Sequence, residues 1–150
     1  MPLLDFLPTD GVMTDLSASS KKQLIENIAE HAGSLTGLSA RAVFDALMQR
    51  ERLGSTALGR GFAVPHARVE NLDDTLACFF RLKEAVNFEA PDDVPVDLVF
   101  TIVIPEQATE EHLIILSSLA RVFSNDEVCE AIRVAGSKDE IAQIIQSAED

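Results

Sequence analysis

Two apolar runs constrain the architecture of this chain. Residues 75–82, TLACFFRL, and 96–105, VDLVFTIVIP, are rich in branched and aromatic side chains, and each carries a single charged residue, Arg81 or Asp97. A strand with one face in water alternates apolar and polar positions, whereas a strand covered on both faces is apolar throughout. These segments therefore read as central strands, and a sheet built on them needs a layer on each side. Segments with helical periodicity lie before and after the pair and supply those layers. The order predicts an α/β fold: a three-layer α/β/α sandwich around a mixed sheet of about four or five strands.

The helical segments carry their own start signals. In SSKKQLIENIAEHAG, Ser20 and Gln23 form a capping box, and Leu24, Ile25, Ile28, Ala29 and Ala32 form one stripe that Gly33 is expected to end. A second helix opens at Ser39, buries Val43, Phe44, Leu47 and Met48, and ends near Arg50. After Pro105, Thr109 is the expected cap of the longest helix, with Glu110 and Glu111 in its positive first turn and a stripe at Leu113, Leu116, Leu119, Ala120 and Phe123. Two short helices follow, one capped by Asn125 and one opened by Ser137 with Glu140. Between the helical and strand regions, GSTALGRG at 54–61 reads as a loop, and Phe62, Ala63 and Val64 as a short extended run. Pro65 must end that run or leave it at an edge, which puts His66 at a strand end. The run 85–90, AVNFEA, is a candidate edge strand.

The 150 residues have the bulk of one ordinary domain. No repeat, low-complexity stretch or long linker divides them, so residues 1–150 are expected to form a single domain. With 12 Lys and Arg against 25 Asp and Glu, the formal charge is −13. That balance argues against nucleic acid, whose phosphates are held by basic side chains, and points to cationic proteins or small molecules. No apolar run approaches the roughly 18 residues of a membrane span, and the opening MPLLDFLPTD lacks the basic start of a signal peptide. We therefore expect a cytoplasmic location without direct membrane insertion. Cys78 and Cys129 have no CxxC or histidine spacing around them and read as small core residues.

The candidate chemistry rests on three histidines. His31 falls in the expected last turn of the first helix, where a capping or surface role suits the macrodipole. His66 follows Pro65, precedes the small Ala67 and comes after a glycine-rich loop, so its side chain reads as displayed. Taken alone, such a histidine is compatible with a structural role, and GRGFAVPHAR matches no nucleotide-cradling motif. His112 shares a helical face with positions 116, 119 and 123, and fits either a hydrogen-bonded core ring or the rim of a cleft. Zinc is not expected, because HExxH, HxH and paired-cysteine spacings are absent. Serine hydrolysis is set aside because GxSxG is absent.

Residues 50–67, RERLGSTALGRGFAVPHA, resemble the active-site signature of the fructose and mannitol type of enzyme IIA (type 2) in the bacterial phosphoenolpyruvate-dependent sugar phosphotransferase system. Glu51, Leu58, Gly59, Ala63, Val64, Pro65, His66 and Ala67 occupy the signature positions. Phe62 stands where an aliphatic residue is usual; burial beneath the loop is its expected place, and an exposed docking patch is the alternative. Within the family, the opening LLDFLPTDGVMTDLSASSKKQL and the LGST before the histidine loop resemble the stand-alone nitrogen-related branch.

The resemblance implies a phosphorelay in which a histidine phosphocarrier passes a phosphoryl group to His66 with no cofactor. Arg50 and His112 fall where members carry an active-site arginine and a second histidine. Arg50 is also expected to bind phosphate, together with Ser55, Thr56, Gly59 and Gly61, the Gly59 to Gly61 turn letting backbone amides approach. An arginine can donate two parallel hydrogen bonds to phosphate oxygens, and phosphoryl transfer depends chiefly on alignment and charge compensation. In the nitrogen branch, the implied output is control of regulatory partners such as potassium transport or sensor-kinase proteins. Two other readings stay open: a sugar-specific enzyme IIA that serves a membrane subunit, and an anion-binding scaffold module of the same fold.

Overall fold

The computed structural model describes residues 2–108 and 110–150. Two short 3-10 turns, Leu3–Asp5 and Thr9–Gly11, lead into β1 (Val12–Leu16), α1 (Lys21–Thr36) and α2 (Ala40–Glu51). Then come β2 (Ala57–Gly59), β3 (Phe62–Ala63), β4 (His66–Val69), β5 (Leu76–Val86) and β6 (Val96–Pro105). The chain closes with α3 (Glu111–Phe123), α4 (Asp126–Val134) and α5 (Lys138–Glu149).

The two apolar runs are β5 and β6, paired antiparallel at the centre of the sheet. The sheet order is β1-β5-β6-β3-β2, with β4 also on β6. β1 lies parallel to β5, while β3 and β4 lie parallel to β6. β3 and β4 are two pieces of one line: Phe62 pairs with Leu98 and His66 with Ile102, so the register does not change across Val64 and Pro65. Pro65 has no N–H to donate, but its carbonyl accepts from the Ile102 N–H at 3.1 Å and keeps the line in place. His66 therefore opens a strand segment and does not close one.

Side chains alternate across the sheet and make two cores. Phe62, Phe79, Phe100, Ile102 and Ile104 meet Ile115, Leu119 and Phe123 of α3 and Ile132, Ile141 and Ile145 of α4 and α5. On the opposite face, Ala63, Val69, Phe80, Val99 and Val103 meet Leu24, Ile25 and Ile28 of α1 and Val43 and Leu47 of α2. Each fully buried large side chain contributes about 1.5–3 kcal/mol, so both faces are strongly held. This is the expected α/β/α sandwich with a mixed sheet. Phe62 is 1% exposed and stacks on Phe123 with centroids 4.1 Å apart, so it belongs to the core. Cys78 and Cys129 are buried free thiols.

Ser20, Ser39, Asn125 and Ser137 all accept backbone N–H bonds as caps. The expected cap at Thr109 lies outside the described residues. Several other expectations are corrected. α1 continues past Gly33 and stops at Gly37, whose φ of 79° gives the left-handed turn that glycine adopts without cost. His31 thus lies before the last turn, and its Nε2–H donates to the Asp10 carbonyl at 2.6 Å, a tie between elements. With 16 residues α1 is longer than α3 with 13. The buried line of α3 is Ile115, Leu119, Val122 and Phe123, while Leu113 and Ala120 face solvent. Within the expected 54–61 loop, residues 57–59 form β2, and the expected edge strand at 85–90 is partly the end of β5. β1, of mixed polarity, was not expected.

Candidate functional site

His66 and Arg68 stand on the sheet face that packs α3, while Ala67 and Val69 turn to the opposite core. The Nδ1–H of His66 donates to the Val64 carbonyl at 2.7 Å. A carbonyl oxygen only accepts, so Nδ1 carries the proton and the neutral ring presents its lone pair at Nε2. Burial holds the ring below the ordinary value of 6.5. The Val64 bond works upward, the Arg50 charge downward, Glu51 upward and His112 downward. Arg50 and His112, both distant from His66 in sequence, are thus among the charges that act on its ring.

Arg50 lies in the last turn of α2, and its Nη1–H donates to the Gly54 carbonyl at 3.0 Å. Next to it, Glu51 is a carboxylate only 6% exposed. It takes an ion pair from the Lys21 Nζ at 3.0 Å, the Thr56 N–H at 3.2 and 3.3 Å, and the Thr56 hydroxyl. The Thr56 carbonyl accepts from the Val64 N–H at 3.0 Å. A continuous line therefore runs from Lys21 through Glu51, Thr56 and Val64 to His66. Lys21 also sits 4.6 Å from the Phe88 ring centroid, and the Ser55 hydroxyl donates to the Phe88 carbonyl at 3.0 Å. The hydroxyl hydrogens of Ser55 and Thr56 are committed within the chain, so these side chains hold the loop. Sequence reasoning gave Glu51 only a signature position; the signal it carried was an acidic side chain adjoining Arg50 at a helix end.

His112 lies in the first turn of α3. Its Nδ1 accepts from the Nη2 of Arg68 at 3.3 Å. The Nη1 of Arg68 donates to the Glu106 carbonyl at 3.1 Å and to the Ala108 carbonyl. Arg68 was not among the sequence candidates; its signal was the spacing of two from His66 on one strand, which puts both side chains on one face.

Gly59 and Gly61 are not at this site. Arg60 and Gly61, with φ of 56° and 83°, make the two-residue turn that joins β2 to β3. The Gly61 carbonyl accepts from the N–H groups of Asp97 and Leu98, both at 3.0 Å, whereas His66 pairs with Ile102. Four strand positions separate those ends, roughly 13 Å at about 3.3 Å per residue. The glycines serve the hairpin, and their expected phosphate contact is withdrawn.

Among the described residues, no group of three or more His, Cys, Asp and Glu gathers as a metal ion requires, and no helix is long and apolar enough to cross a membrane. An imidazole nitrogen with a free lone pair, acted on by an arginine and a second histidine, has the chemistry to attack an electrophile and to meet the charge of an anion. Residues 5–148 match the family described as "Phosphoenolpyruvate-dependent sugar phosphotransferase system, EIIA 2", and the chain belongs to that family. It is 37% identical to the nitrogen regulatory protein of Bradyrhizobium diazoefficiens over 97% of this chain and 95% of that protein. It is 38% identical to the nitrogen regulatory protein of Escherichia coli K12 over 99% of this chain and 92% of that one. The crystal structure of nitrogen regulatory protein IIA-Ntr from Neisseria meningitidis superposes with a TM-score of 0.90 at 39% identity, covering 94% of this chain and 97% of that chain.

Proposed function

We propose that this chain accepts a phosphoryl group on Nε2 of His66 from a histidine phosphocarrier, and that its phosphorylation state controls cytoplasmic partners in a nitrogen-related phosphotransferase relay. The observation that supports it most directly is the Nδ1–H of His66 held on the Val64 carbonyl at 2.7 Å, which reserves Nε2 for attack. In the transfer, the Nε2 lone pair forms a bond to phosphorus while the P–N bond of the donor phosphohistidine breaks and its electron pair returns to the donor ring. The acceptor ring gains positive character as the new bond forms, and the Val64 carbonyl steadies the Nδ1–H through that change. Arg50, and the Nε2–H of His112, offset charge on the equatorial oxygens. Backbone register and the Glu51–Thr56 line hold the acceptor in place, so little reorganisation accompanies transfer.

The deciding experiment is intact mass after incubation with phosphoenolpyruvate, enzyme I and the phosphocarrier. One phosphoryl group should appear, labile to acid and stable to base, and H66A should gain none. A fully phosphorylated H66A chain overturns the assignment. The downstream role is tested by adding the phosphorylated chain to regulatory partners, such as potassium transport or sensor-kinase proteins, and to a sugar-specific membrane subunit. Partner binding that depends on phosphorylation supports a regulatory output, and rapid dephosphorylation by the sugar subunit supports the transport alternative.

A further inference from the structure

The two site histidines use opposite ring nitrogens in their hydrogen bonds. At His66, Nδ1 faces a carbonyl at 2.7 Å, so Nδ1 is protonated and Nε2 holds the lone pair. At His112, Nδ1 faces a guanidinium at 3.3 Å. A guanidinium has five donors and no acceptor and stays charged throughout the physiological range, so Nδ1 of His112 must be the accepting nitrogen. The neutral His112 ring then carries its proton on Nε2. One ring is set as a nucleophile and the other as a donor.

We propose that Arg68 is a positioning residue that holds His112 in its Nε2–H form, so that His112 donates to the phosphoryl group and only His66 presents a lone pair to receive it. This rests on the reading of His66 as the phosphoryl acceptor. The placement of Arg68 suits the task. It lies two residues after His66 on β4, and the register to Ile102 and Ile104 of β6 holds both on one face. Its other guanidinium nitrogen donates to the Glu106 and Ala108 carbonyls, in the segment that leads from β6 to α3. A single side chain thus ties the strand of the acceptor histidine to the segment that delivers the donor histidine. The same contact occupies the lone pair of His112 and removes that ring as a competing nucleophile. Without Arg68, a neutral imidazole exchanges between tautomers, and the Nδ1–H form turns a lone pair where a phosphate oxygen needs a donor.

The test uses the full chain labelled with 15N-histidine, with ring tautomers read by long-range 1H–15N NMR at a pH where both rings are neutral. We expect His66 as Nδ1–H and His112 as Nε2–H in the wild type. In R68A, His112 should average between tautomers while His66 is unchanged, and R68K, which retains a donor, should return His112 toward the wild-type signal. Phosphoryl transfer from the carrier should slow about tenfold to a hundredfold in R68A, less than for loss of a direct charge-stabilising donor, and recover in part in R68K. A tautomer state of His112 identical in the wild type and R68A, or averaged already in the wild type, overturns the proposal. A wild-type chain that accepts no phosphoryl group overturns instead the reading of His66, and the NMR readout separates the two failures. Arg68 is exposed, so water can take over its carbonyl partners and R68A should stay folded at the assay temperature, checked by thermal unfolding.

Discussion

The Nδ1–H of His66 donates to the carbonyl of Val64, 2.7 Å away and two residues back across Pro65. The side chain is thereby aligned by its own strand, and its reactivity follows its protonation state. Burial lowers the His66 pKa below 6.5, so the ring is neutral at pH 7. The rate of phosphoryl acceptance should be flat near neutrality and fall on acidification with a midpoint below pH 6.5. The same shift has a stability consequence. Just below 6.5 the unfolded chain binds more protons at this residue than the folded one, so stability falls as pH drops through that window and levels off below the folded pKa. H66Q should lose this contribution in denaturant titrations at several pH values, and a rate midpoint above 6.5 would contradict burial as the leading cause.

Arg50 supplies charge to the site and little to the core. R50A should slow phosphoryl transfer by roughly two to three orders of magnitude, as for removal of a charge-stabilising donor, with thermal unfolding nearly unchanged. R50K should recover only part, because an ammonium lacks the paired donors of a guanidinium. Stopped-flow or quench measurements of transfer from the carrier check this.

The buried Lys21–Glu51 pair makes the opposite prediction, with a large effect on stability. E51A leaves the Lys21 ammonium without its carboxylate and the Thr56 N–H and hydroxyl without their acceptor. Breaking a buried pair in this way should cost about 3–5 kcal/mol, read by urea denaturation. At temperatures where E51A remains folded, its transfer rate should also drop, because Thr56 no longer braces Val64.

Gly61 separates a hairpin role from a phosphate role. Its φ is 83°, and an added Cβ would lie 2.7 Å from the Arg133 Nη2, which pairs with Asp97 at 3.0 Å. G61A should destabilise the fold by about 1–2 kcal/mol through the left-handed backbone. Phosphorylation of the folded protein should proceed at the wild-type rate, measured by the same mass assay.

Docking of a carrier should divide between charge and apolar contact. Leu53 is 83% exposed close after Arg50, and Leu113 and Ile114 are 58% and 51% exposed directly after His112. These residues replace Phe62 as the candidate apolar rim. L113S combined with I114S should mainly raise the dissociation rate of a basic phosphocarrier, whereas added salt should mainly lower its association rate, given the net charge of −13. Surface plasmon resonance at several salt concentrations separates the two, and a salt-insensitive association rate would remove steering from recognition.

The parts of this protein legible in its sequence are those that depend on near neighbours. Continuous apolar runs identified β5 and β6 because a strand covered on both faces has no position where water selects a polar side chain. Ser20, Ser39, Asn125 and Ser137 announced helix starts because a cap is satisfied within three residues. Pro65 and Ala67 singled out His66 for a similarly local reason, although the ring is half-buried and not freely displayed. Other features were settled only by packing. Leu113 and Ile115 are equally apolar, so periodicity pointed to the stripe through Leu113, and the sheet surface selected Ile115 instead. β1 escaped notice because its sequence, VMTDL, mixes polar and apolar residues, and its pairing with β5 supplies what its own pattern lacks. The ring proton of His112 depends on Arg68, and the brace on Val64 depends on Lys21, Glu51 and Thr56. Those contacts join residues far apart along the chain, and hydrogen bonds act only near 3 Å, so it took the tertiary fold to bring them into being.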